Sequence, residues 1–141
     1  MDIHKLLTAL ENDNNESVIQ LNYEKIASEK NTMLQQLHLP KELLKTLTKQ
    51  LKTYRYVDNL DDLRYGSYIR WISLKHKNKD SVRLTNGGIL CHLKQVDDDI
   101  HLVCKNSRGM LFQLKMTENI IFQKLNEQEQ VILSALKYLE G

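Results

Sequence analysis

The chain holds two cysteines, Cys91 and Cys104, each with a histidine nearby, His92 and His101. A Cys2His2 metal site is the first chemistry these residue types suggest. Spacing argues against it. There is no CxxC pair, and Asp97-Asp98 reads as a two-residue turn between strands 89–96 and 100–105. In that register 96 pairs with 99, 93 with 102 and 91 with 104. Ile89, Cys91 and Leu93 then share a face with Ile100, Leu102 and Cys104, and the two histidines lie on the other. Four ligands do not converge, so the cysteines read as buried, inert thiols in a reducing compartment, and no metal or cofactor is expected.

Other candidate chemistry is weaker still. The carboxylates gather at 58–62 and 97–99, where Asp and Asn serve turns. Asn86-Gly87-Gly88 lacks the Lys-Ser/Thr of a phosphate loop and follows no βαβ pattern. No serine or histidine stands in a nucleophile elbow or a triad order. The chain reads as non-catalytic, with no small-molecule substrate.

The cations are more informative. The net charge is +2, with balances of −3 over residues 1–39, +6 over 40–83 and −1 over 84–141. Within the basic third, Lys41, Lys45, Lys49 and Lys52 fall within about 80° of each other on one side of a helix. Leu43, Leu44, Leu47, Leu51 and Tyr54 fill the other side. The lysines form either a solvated face or a stripe for phosphates or an acidic partner. A second basic region interleaves aromatics: Arg64, Tyr65, Tyr68, Arg70 and Trp71, then Lys75, Lys77 and Lys79. Exposed aromatics with a basic rim would suit single-stranded nucleic acid. Trp71 shares parity with Ile69, which points it to the core, so Tyr68 and Arg70 are the residues in question.

Helical patterns precede residue 58. Ile3, Leu6, Leu7 and Leu10 recur at helical spacing over 2–11, and Asn12–Glu16 reads as a linker. A longer pattern runs from Ser17 to Leu37, capped by Ser17 or Asn22, with a polar middle that would split it. Pro40 opens the helix over 40–54. Strand patterns follow, at 67–74, 82–84, 89–96, 100–105, 110–115 and 120–122. Asn86-Gly87 predicts a hairpin with Gly88 as a bulge, Asn106–Gly109 a turn, and Thr117–Asn119 a further short turn. Asn126 with Glu129 predicts a capping box for a last helix to about Leu139. Connections this short exclude crossover helices, so the sheet must be antiparallel.

The expected architecture is α+β. It has an N-terminal helical segment (1–57), a small antiparallel SH3-like β-barrel (58–125) and a C-terminal helix packed on the barrel (126–141). No apolar run approaches the roughly 18 residues that span a membrane, and Met1–Lys5 has no signal-peptide character.

The phrases Leu63–Ile72, Leu84–Leu90 and Glu118–Leu125 resemble small uncharacterised proteins encoded by nucleocytoplasmic large DNA viruses and their relatives. The likeness covers about residues 60–125 and brings no active-site residues with it. It implies a viral context in host cytoplasm or nucleus, where chains of this size serve as minor capsid or other virion components, or as DNA-associated factors. The expected function is therefore a structural or adaptor protein docking other proteins of an assembly through its N-terminal helices and barrel edge. Nucleic-acid binding is the alternative.

Overall fold

A computed structural model describes residues 2–19, 21–75 and 82–140, with the side chains of Asn14, Glu16 and Ser17 left out. The helices are α1 (Ile3–Glu11), α2 (Glu16–Ile19), α3 (Tyr23–Gln35), α4 (Lys41–Gln50) and α5 (Glu127–Glu140). The strands are β1 (Tyr54–Val57), β2 (Tyr68–Ser73), β3 (Gly88–Val96), β4 (Asp99–Lys105), β5 (Leu111–Lys115) and β6 (Asn119–Lys124).

Local signals explain most helix ends. Asn22 accepts from the Lys25 amide at 2.7 Å and caps α3, so the long pattern from Ser17 splits into α2 and α3. His38 takes a left-handed conformation (φ 51°) beyond α3, and Pro40 then opens α4. The capping box at α5 is complete: Glu129 N–H donates to Asn126 Oδ1 at 2.8 Å, and Asn126 N–H donates to Glu129 Oε1 at 3.0 Å.

All strands form one antiparallel sheet in the order β1-β6-β2-β3-β4-β5. Its end strands, β1 and β5, do not pair with each other, so the expected barrel is not closed. The physical reason is β1, which begins at Tyr54, the residue expected to end the helix over 40–54. It occupies the edge of β6 away from β2, and β6 is buried on both faces as a result. The acidic corner that follows β1 forms a short 3-10 turn at Leu60–Asp62.

The two faces of the sheet bury different material. Tyr54, Ile72, Ile120 and Phe122 pack against Leu34 of α3 and Leu47 and Leu51 of the α4 end. On the other face Ile69, Leu90, Leu102, Cys104, Leu114 and Ile121 form a second cluster, with Trp71 at its margin. No α-helix among the described residues contributes to that cluster; Leu63, Leu93, Ile100 and Met116 pack around it instead. A third cluster joins α1, α2, α3 and α5 through Ala9, Val18, Ile26, Ile132 and Leu133.

Two register expectations need correction. The β3–β4 pairing begins as expected, with 96 opposite 99 and 93 opposite 102, then shifts between Leu90 and His92. Cys91 is the extra, bulged residue, so Leu90 rather than Cys91 faces Cys104. Ile89 is accordingly turned outward and exposed. Asn86-Gly87 is likewise not a hairpin turn. Residues 82–84 contribute only a bridge from Leu84 to Ile72, and the segment 85–87 lies across β2 instead. The turn at Asn106–Gly109 is present, and the one expected at Thr117–Asn119 lies one residue earlier, at Met116–Glu118, because Asn119 already belongs to β6.

Candidate functional site

The residues singled out by type separate into two groups. Lys41, Lys45, Lys49 and Lys52 stay together. Each is exposed, the buried Leu47 lies on the opposite side of α4, and none of the four makes an ion pair among the described residues. Spacing of four residues sets successive charges of the stripe about 6 Å apart along the axis.

The aromatic and basic region around β2 is instead spent on holding the fold. Tyr68 donates its hydroxyl to the Asn86 carbonyl at 2.5 Å and packs beneath the α3–α4 cluster. Arg70 Nε donates to the Thr85 carbonyl at 2.7 Å. Burial raises the pKa of the neighbouring Tyr54 phenol, and the Arg70 guanidinium acts against that rise. Lys75 pairs with Glu118 at 3.0 Å. Lys77 and Lys79 lie outside the described residues. No free stacking platform therefore exists at Tyr68 and Arg70.

Arg64 is the least expected of these. Its Nη2 lies 2.6 Å from Glu129 Oε1, and the Glu129 side chain is 1% exposed. The same oxygen accepts from the Asn126 amide, so one buried carboxylate both caps α5 and fixes the turn before β2. Beside it, Gln123 Oε1 accepts from the Arg64 amide at 2.9 Å and from Ser67 Oγ at 2.8 Å, while Gln123 Nε2 donates to the Asp62 carbonyl at 2.9 Å. A trace of this was legible. Glu129 lies three and four residues before Ile132 and Leu133, on the apolar side of α5.

Between α5 and the 64–68 turn runs an open cleft of about 830 Å³. Its charges are largely internally matched, Arg64 with Glu129 and Lys5 with Glu127. A second cleft, of about 490 Å³, lies between α3, the end of α4 and α5. No group of three or more His, Cys, Asp and Glu side chains among the described residues could hold a metal. No helix among them is long and apolar enough to cross a membrane.

The cysteines differ sharply. Cys91 on the bulge is exposed and Cys104 is buried. Burial, assisted by the neighbouring Cys91, pushes the Cys104 thiol from 9.0 up to about 12. Iodoacetamide at neutral pH is therefore expected to label the native protein once, at Cys91, and the denatured protein twice, by mass spectrometry. The linkage has a definite sign. Above 9.0 the unfolded thiol ionises while the folded one keeps its proton up to about 12. Stability that is fully present below that window should fall as pH rises through it, and Cys104→Ala should flatten this part of the profile.

Large apolar side chains remain uncovered at several places, and on α1 and at the start of β5 three of them lie close together in sequence. On α1, Leu6 and Ala9 face the interior, whereas Ile3, Leu7 and Leu10 form an exposed row. On the sheet, β5 pairs with β4 on one side and has no neighbour on the other among the described residues. Met110, Leu111 and Phe112 along it are 56%, 66% and 42% exposed. No protein-family model matches the chain, and neither a curated protein nor a solved structure does.

Proposed function

We propose that this is a non-catalytic structural or adaptor protein that takes its place in a larger assembly by adding a partner's strand to β5. The unpaired edge carries this reading. Free edges are normally blunted by charge, proline or a bulge. β5 has none of these across Leu111–Leu114, its pairing with β4 is regular, and Lys115 stands only at its far end. Main-chain hydrogen bonds would supply affinity there, and the alternating exposed side chains specificity. The apolar row on α1 offers a second contact. The viral phrasing of residues 63–72, 84–90 and 118–125 supports a virion as the assembly, with the protein a minor capsid or other virion component. The SH3-like order of β2 to β6, with a 3-10 turn before the last strand, fits a small-barrel ancestry whose closure β1 has displaced.

A second reading rests on the α4 stripe, whose four unneutralised lysines suit a phosphate backbone. Such contacts would be weak, independent of sequence and steeply salt-dependent.

One experiment separates the two. A photo-crosslinking amino acid is placed at Leu111, Leu7, Lys45 or Lys94 in the protein made in its native source, and adducts are identified by mass spectrometry. The adaptor reading expects the same identified protein at 111 in fixed stoichiometry, with nothing at the exposed, polar position 94. Nucleic-acid adducts at 45 that vanish at high salt, with no protein at 111 or 7, would replace it with the second reading.

A further inference from the structure

The cleft between α3, the end of α4 and α5 combines two features that the assembly reading does not use. Leu34, Leu51 and Leu125 form its apolar base, and the half-buried Tyr23 and exposed Ala27 line it above them. Three lysines, Lys30, Lys52 and Lys137, line it, and no acidic side chain does among the described residues. Its volume of about 490 Å³ falls in the range of small-molecule pockets, about 300–1,000 Å³.

The lysines are not equivalent. Lys30 is half-buried, and its Nζ donates to the Leu51 carbonyl at 2.7 Å and to the Lys52 carbonyl at 3.5 Å, at the C-terminal end of α4. An ammonium has three donors, so this one retains a donor beyond those two carbonyls. Burial lowers its pKa, the sign of a charge held where hydration is incomplete. The side chains of Lys52 and Lys137 make no hydrogen bond or ion pair among the described residues. The cleft therefore offers positive charge without compensation above an apolar surface that cannot itself satisfy an anion.

We propose that this cleft binds a small amphipathic anion, with an aliphatic body along Tyr23 and Ala27 over the leucine base and a carboxylate or phosphate head among Lys30, Lys52 and Lys137. Each half of the ligand answers one half of the site. An apolar body displaces water from the accessible lining at Tyr23 and Ala27, and an anionic head neutralises the lysines. The larger cleft beside Arg64 lacks this complementarity, because Lys5 and Arg64 already have carboxylate partners and the acidic Asp2 and Glu127 line it beside Lys124.

Calorimetric titration of the full chain with decanoate, decyl phosphate, 1-decanol and inorganic phosphate tests the assignment. Decanoate or decyl phosphate should bind saturably with one site per chain, and the tighter of the two identifies the head group. Decanol, which lacks charge, and phosphate, which lacks a body, should each bind at least about tenfold more weakly. Lys52→Gln with Lys137→Gln, both at exposed positions outside the α4 cap, should weaken decanoate by about tenfold. Decanol binding as tightly as decanoate, an unchanged affinity in the double variant, or no saturable binding of either anion would each overturn the proposal.

Discussion

Replacing Glu129 with alanine is expected to cost about 3–5 kcal/mol, the range for breaking a buried ion pair by removing one partner. Three circumstances put it there. The Glu129 side chain is 1% exposed, and its partner Arg64 only 21%. The alanine variant leaves the Arg64 guanidinium in a site where water reaches it poorly, with its Nε already lacking a partner. It also removes the acceptor of the Asn126 amide, reopening the first turn of α5. Against a total stability of about 5–15 kcal/mol this is a large fraction, with a fall in Tm of roughly 10 °C. Glu129→Gln separates the contributions. Its amide oxygen can still accept from Asn126 and Arg64, so it keeps the cap and loses the charge, and its cost should lie between that of alanine and wild type. Asn126→Ala removes only the cap and should cost about 1 kcal/mol. Urea denaturation measures all three. Equal costs for the alanine and glutamine variants would mean that the cap contributes nothing beyond the charge. A cost below about 1 kcal/mol for alanine would mean that the pair is effectively solvated.

That ion pair also marks the boundary of what could be read from the chain. Local signals were legible. The amphipathic α4 and its lysine stripe, the cap pair Asn126 and Glu129, and the turns at Asp97-Asp98 and Asn106–Gly109 each depend on residues a few positions apart. Contacts between distant segments were not. Tyr54–Val57 is a strand because β6 offers it an edge, and its buried Arg55, paired with Asp62 at 3.8 Å, disguises it as a solvated stretch. The bulge at Cys91 reverses the parity of half of β3, and no residue type there announces it. Arg64, Tyr68 and Arg70 have the composition of a binding surface, yet all three serve contacts with segments 15 or more residues away. Type and spacing find the groups that can bind a ligand. Only the fold shows which have already been bound by the protein.

The apparent hairpin at Asn86-Gly87 shows the same division and leads to the second large effect. Gly87→Ala should destabilise by about 2–5 kcal/mol, combining left-handed strain of about 1–2 kcal/mol with overpacking of about 1–3 kcal/mol. Gly87 has φ +85°, and an added Cβ would stand 2.2 Å from the Ile69 carbonyl oxygen and 2.8 Å from Arg70 Cγ. Neither obstacle moves freely. Ile69 sits in β2 between Gly88 of β3 and Gln123 of β6, and Arg70 is tied to Thr85. Withdrawing the 85–87 segment would forfeit the bonds that hold it on β2, including Thr85 N–H to the Trp71 carbonyl at 3.0 Å. Gly66 supplies the control. It has the same φ of +85°, but its Cβ would meet nothing within 4 Å, so Gly66→Ala carries the backbone strain alone, about 1–2 kcal/mol. The difference between the two alanine variants in urea denaturation isolates the close approach from the conformational preference. A turn glycine, with its Cβ position open to solvent, would give equal costs. A glycine laid against the strand that anchors the sheet gives the larger one, because the adjoining backbone is held on both sides and cannot yield.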